Sequence, residues 1–147
     1  MNKNFLKRVV ELSKQSQEEG KFPAGALLVK DGKIVYEETS SPFPDQHLHG
    51  EIKVIDQAIA DIRDQLGEYE LYTSLAPCLM CLGKIYWSGI KKVYFILSRE
   101  DTCKYLEGEH DFNDIVSKFN KPIEFIQDKT YYDEAKDIYD TWEETIL

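Results

Sequence analysis

The apolar residues of this chain switch between helical and extended spacing from one end to the other, and that alternation limits the fold more than any other feature. Phe5, Leu6, Val9, Val10 and Leu12 recur at helical spacing and predict a helix up to Gly20. Ala24 to Val29 and Lys33 to Glu38 read as two strands joined around Asp31-Gly32. Thr39 to Leu48 contains Pro42 and Pro44, which remove ladder donors, so it is expected to be an exposed loop. Ile52, Ile55, Ile59, Ile62 and Leu66 share one helical face between Gly50 and Leu66, with Gly67 as the expected stop. Tyr69 to Ser74 reads as a strand, and Pro77 suits the first turn of a helix running to about Ser88 before Gly89.

Lys92 to Leu97 follows as an apolar strand. Residues 98 to 122 then leave room for a crossover helix, best placed at Phe112 to Phe119, before a strand at Ile123 to Ile126. Tyr132, Ala135, Tyr139 and Trp142 mark a last helix within Tyr131 to Glu144. The order αββαβαβαβα predicts a three-layer α/β/α sandwich around one mixed five-stranded sheet, with the last two strands parallel. At 147 residues, without repeats or linkers, a single domain over 1–147 is expected.

The net charge of −9 repels polyanions, so a nucleic-acid partner would need a local basic patch. Only Lys91-Lys92 and the group Lys3, Lys7, Arg8 and Lys14 cluster, and both read as solvated surface, which favours a small-molecule substrate. The N-terminus runs into an amphipathic pattern and no stretch approaches membrane-spanning length, which gives a cytoplasmic expectation. Three cysteines include one Cys-x-x-Cys pair, which in a reducing compartment points to metal binding or redox chemistry rather than a structural bridge.

Two short stretches carry the chemistry. His49-Gly50-Glu51 opens one predicted helix and Pro77-Cys78-Leu79-Met80-Cys81 opens another. Together they offer one imidazole and two thiolates, a ligand set suited to one zinc ion with a fourth position left for water. Cys78 and Cys81 are three apart and project from nearly one helical face. Their place at a helix N-terminus favours the thiolate form. His49 and Glu51 would point about 200° apart on an ideal helix, so His49 is expected at the cap position, with Glu51 in the first turn facing the metal-bound water.

The pattern matches the H-x-E and P-C-x-x-C signature of zinc-dependent deaminases. In that chemistry the zinc acidifies its water, while Glu51 accepts the proton and relays it to the ring nitrogen and leaving amine. Other readings stay open: a redox pair, or a structural zinc site completed by Cys103 or His110, with Glu51 as an ordinary first-turn acid.

Over nearly its whole length the chain resembles the cytidine deaminase superfamily, in the branch of guanine, cytosine and tRNA adenosine deaminases. The run Leu71-Tyr72-Thr73-Ser74-Leu75-Ala76-Pro77-Cys78-Leu79-Met80-Cys81-Leu82-Gly83-Lys84-Ile85-Tyr86-Trp87 looks most like bacterial guanine deaminases, whereas Leu48-His49-Gly50-Glu51-Ile52 looks like fungal cytosine deaminases. The resemblance implies a cytidine deaminase-like fold and one zinc per chain. It also implies a nucleobase or nucleoside substrate, with guanine-like purines first and cytosine second. It further implies a homodimer, with the C-terminal segment exchanged between subunits and Trp87 lining a partner's site.

Relatives place an Asn about eleven residues before the zinc histidine to bind the base; Glu38 stands there instead, and Ser40 or Ser41 offers a weaker donor and acceptor or a turn. Ala76 replaces the Glu that usually precedes the P-C pair. Phe22 to Gly25 matches the segment beneath the substrate, where close backbone approach or a plain strand start explains Gly25. In Asp111-Phe112-Asn113-Asp114, similar to a guanine-deaminase F-D-D segment, Asp114 is placed to meet a substrate amino group, while Asp111 or Asn113 caps a helix. His47 and His110 read as surface histidines, and Cys103 as a small buried hydrophobe.

Overall fold

A computed structural model describes residues 2–102, 107–108 and 110–146; Cys103 lies outside the described residues. The elements are α1 (Asn2–Glu18), β1 (Gly25–Lys30), β2 (Lys33–Thr39), α2 (Gly50–Ile62), β3 (Glu70–Leu75), α3 (Leu79–Ser88), β4 (Lys92–Leu97), a 3-10 turn (Arg99–Asp101), α4 (Phe112–Ser117), β5 (Glu124–Gln127) and α5 (Tyr132–Ile146). The strands form one sheet in the order β2-β1-β3-β4-β5. β1 is antiparallel to both of its neighbours, while β3, β4 and β5 are parallel, so the parallel part extends one strand beyond the expected pair. It follows that β2, β3, β4 and β5 all run the same way and end at one edge of the sheet.

Alternation along the central strands divides the core in two. Leu27, Val29, Tyr72, Tyr94 and Ile96 pack with Leu6, Val9 and Leu12 of α1 and with Ala135 and Tyr139 of α5 on one face. Ala26, Leu28, Leu71 and Val93 pack with Val54, Ile55 and Ala58 of α2 and Ile85 of α3 on the other. Phe112 of α4 joins this second layer by edge contacts at 5.7 Å to Phe95 and 5.4 Å to Phe125. The three-layer sandwich follows from two apolar faces on one sheet, each needing a helical cover.

Two boundaries differ from expectation. α2 stops at Arg63, which takes the left-handed conformation (φ 51°), rather than at Gly67; Leu66 is fully buried, but from the loop beyond the helix. Pro77 precedes the N-cap of α3 instead of sitting in its first turn, because Cys78 takes the cap. Among the described residues no helix is long and apolar enough to cross a membrane.

Candidate active site

The common direction of β2 and β3 delivers the starts of α2 and α3 to the same sheet edge, where ligands of open α/β sheets bind. His49 is the N-cap of α2 with extended backbone (φ −62°, ψ 158°), and its carbonyl accepts the first helical bond from Lys53 N–H at 3.0 Å. Its side chain makes no capping bond and is therefore free to reach across to α3. A Cβ at Gly50 would stand 3.2 Å from the Glu38 carbonyl and 3.3 Å from the Ala26 side chain, so glycine lets α2 start tight against β1 and β2. Cys78 is the N-cap of α3, its sulfur accepting the Cys81 N–H at 3.5 Å, and Ala76 N–H donates to the Leu97 carbonyl at 2.8 Å to tie the strand-to-helix turn to β4.

His49 Nδ1 lies 3.4 Å from Cys78 Sγ and 3.5 Å from Cys81 Sγ. A tetrahedral zinc with ordinary Zn–S and Zn–N bonds holds its ligand atoms about 3.5 Å apart. The donor set therefore fits one zinc ion, with Nδ1 as the coordinating nitrogen. Among the described residues, His49, Cys78 and Cys81 are the group able to hold a metal, and His110 is not part of it.

Electrostatics reinforce the arrangement. Hydrogen bonds from Cys81 and His49, opposed by burial, bring the Cys78 thiol down to about 4. The same Cys78 contact, then burial and the nearby Glu51 carboxylate, push Cys81 up, so in the metal-free state the thiolate sits on Cys78. The hydrogen bond to Cys78 raises His49. Glu51 is 6% exposed; burial lifts its carboxyl above the ordinary range, partly offset by His49 and by a hydrogen bond with the Cys81 side chain. Placing His49 at the cap thus lets both His49 and Glu51 reach Cys81.

The substrate-contact expectations divide. Ser40 is buried in the loop that leads to α2, and the neighbouring Ser41 hydroxyl closes that loop on the Leu48 carbonyl at 2.7 Å. Ala76 is fixed one residue before Pro77, near the metal group. Phe22 packs edge-on at 4.7 Å against Trp142, in the layer of α1 and α5 on the opposite sheet face from the metal group. A Cβ at Gly25 would meet Leu12 Cβ at 2.5 Å and the Val9 carbonyl at 2.9 Å, so this glycine answers to the packing of α1. Asp114 is exposed and pairs with Lys118 at 3.0 Å, while Asp111 caps α4. Trp87 is 76% exposed at the far end of α3, under Lys121, and about 13 Å along the helix from Cys78 by ordinary helical rise.

Sequence reasoning missed Glu107, which carries no motif. Its carboxylate accepts the Leu79 N–H at 3.4 Å, pairs with Arg99 and stands 3.0 Å from His110 Nε2. His110 is correspondingly not a surface histidine: its side chain is 13% exposed. His47 is exposed as expected.

Residues 1–97 match the family model for the cytidine and deoxycytidylate deaminase zinc-binding region. A probable cytosine deaminase of Schizosaccharomyces pombe is 30% identical over 131 residues, 83% of this chain and 80% of that protein. The guanine deaminase of Bacillus subtilis is 35% identical over 127 residues, 84% of this chain and 80% of that protein. A crystal structure of guanine deaminase from B. subtilis matches at a TM-score of 0.63 with 32% identity, covering 98% of this chain and 94% of that one. A tRNA-specific adenosine deaminase of Aquifex aeolicus is 35% identical over 94 residues, 62% of each chain.

Proposed function

The chain belongs to the cytidine and deoxycytidylate deaminase family of zinc-dependent hydrolases, and from that premise we propose that it hydrolytically deaminates a free nucleobase or nucleoside, guanine-like purines first. One observation carries the reading. His49 Nδ1 sits at zinc-ligand separation from both cysteine sulfurs while a buried carboxyl group, that of Glu51, contacts the same Cys81.

His49, Cys78 and Cys81 would hold the metal, which would supply Lewis acidity and a nucleophilic water at neutral pH. Glu51 would take one proton from the attacking water and deliver it to the ring nitrogen, then take the second proton of the same oxygen as the carbonyl forms and deliver it to the amine, which departs as ammonia. Its raised carboxyl suits this work, since a group exchanges protons best when its pKa approaches the operating pH. Burial keeps bulk water from competing for that proton. Ser40 and Ala76 are the candidates beside the base. A homodimer in which the exposed Trp87 faces a partner's site belongs to the same reading, and sedimentation tests it.

Support for guanine comes from the run between Leu71 and Trp87 and from the likeness to the B. subtilis enzyme. Cytosine is the second reading, favoured by His49-Gly50-Glu51 and the S. pombe relative. A net charge of −9 argues for a small substrate over tRNA. Ammonia release from zinc-loaded protein, with Glu51→Ala as the blank, is the test. Turnover of guanine or guanosine, absent from the blank, is expected. Inert free bases and nucleosides alongside an edited tRNA anticodon stem would overturn the small-molecule reading, and a zinc site closed by four protein ligands would replace catalysis with a binding module.

A further inference from the structure

Glu107 joins three elements around the metal group. One carboxylate oxygen, Oε2, accepts the N–H of Leu79, the first residue of α3 and the neighbour of Cys78. The other, Oε1, receives Arg99 from the 3-10 turn after β4 and His110 Nε2. The side chains of Arg99, Glu107 and His110 are 16%, 25% and 13% exposed, which makes this the driest ionic cluster among the described residues. His110 Nδ1 is buried with no hydrogen-bond partner, so among the described residues the imidazole's hydrogen bond is the one to Glu107.

The Leu79 N–H is one of the donors that a helix start leaves without an internal partner. The sulfur of Cys78 already accepts a long bond from Cys81 N–H, at 3.5 Å. With Glu107 in place, Leu79 N–H has an anionic acceptor and the peptide between Cys78 and Leu79 is held in one orientation. Without it, that donor loses its acceptor, and the Arg99 guanidinium loses its counter-charge in a poorly hydrated place.

We propose that Glu107 is a positioning residue for the metal centre, fixing the start of α3 and with it the Cys78 ligand against Arg99 and His110. The inference rests on His49, Cys78 and Cys81 being the metal ligands, and extends the site to a residue that does not touch the ion. Partners of this kind orient ligands and, when removed, typically weaken metal binding about 10- to 100-fold.

The test is metal binding by full-length protein, measured by competition with a chromophoric chelator for zinc and by the thiolate charge-transfer bands of the cobalt(II) form. Glu107→Ala is expected to bind zinc at least about tenfold more weakly and to shift the cobalt bands, with far-UV circular dichroism unchanged. Should the alanine variant fail to fold, the isosteric Glu107→Gln carries the test, expected to weaken zinc by a smaller factor because an oxygen still faces Leu79. Arg99→Met added to Glu107→Gln should cause no further loss, since both act through one carboxylate. Wild-type affinity and unshifted bands in the Glu107 variants, or additive effects of Arg99→Met, would overturn the role of Glu107. Failure of the ligand assignment looks different: the wild type itself would show no thiolate-to-cobalt band. Neither readout depends on turnover of any base.

Discussion

Gly25→Ala tests whether glycine at the start of β1 serves helix packing or substrate approach. The added Cβ would lie 2.5 Å from Leu12 Cβ and 2.9 Å from the Val9 carbonyl oxygen. Neither atom can rotate away, because one is the root of a side chain and the other is backbone. Relief requires α1 to lift by about an ångström, which loosens Leu6, Val9 and Leu12 against Leu27 and Tyr72. Overpacking of this kind costs about 1–3 kcal/mol, and an immobile contact on both sides places this case near 3 kcal/mol. For 147 residues the unfolding entropy is about 0.3 kcal/mol per degree near the midpoint, so Tm should fall by about 10 °C. Thermal unfolding of zinc-loaded wild type and variant by circular dichroism reads the shift directly. At a temperature where both are folded, KM for the accepted base should be unchanged. A Tm within about 2 °C of wild type, or a large rise in KM with stability intact, would refute the packing account and return Gly25 to the substrate side.

Further outcomes follow from the metal group and its surroundings. Glu51→Gln should keep zinc and lose at least about 100-fold in kcat, the scale of general acid–base catalysis; retained turnover in an ammonia assay would remove Glu51 from the chemistry. In the metal-free protein Glu51 holds its proton more tightly folded than unfolded, so stability is highest below the ordinary carboxyl range and falls as pH rises through the folded value. The metal-free Gln variant should therefore have a higher urea midpoint than wild type at about pH 7, with the two converging in acid. In the same metal-free state, iodoacetamide at about pH 6 should label Cys78, whose thiol is brought down to about 4, and leave buried Cys81 unmodified; equal labelling in peptide maps would contradict the asymmetry. Stripping zinc supplied at 100 times its Kd should cost about 2.7 kcal/mol, or about 9 °C in Tm, whereas a midpoint indifferent to chelator would deny the site any part in folded-state stability.

What could be read from sequence was whatever local chemistry dictates. Gly89 ends α3 as expected because its left-handed backbone (φ 85°) is a position where glycine signals itself. Arg63 adopts the same region at the end of α2 with no such signal, and the expectation slid to Gly67. Leu66 misled for a related reason: apolar periodicity reports burial, and a loop residue can be buried as completely as a helical one. The metal group was legible because its spacing obeys helix geometry, including the need for His49 to leave the helix. Glu107 was not, since its role depends on a tertiary meeting of α3, the 3-10 turn and the stretch at His110. Nor was the reason for Gly25, which lies in a helix approaching from elsewhere in the chain.

The direction of the strands has a practical consequence. Because β2 to β5 all end at the metal edge, the Asp31-Gly32 hairpin and the connections before β3, β4 and β5 lie at the opposite margin, away from His49, Glu51, Cys78 and Cys81. That margin is a handle. A fluorophore, an affinity tag or a tether grafted at Asp31-Gly32, where both residues already take positive φ, leaves the catalytic rim open and lets the enzyme be immobilised facing its substrate.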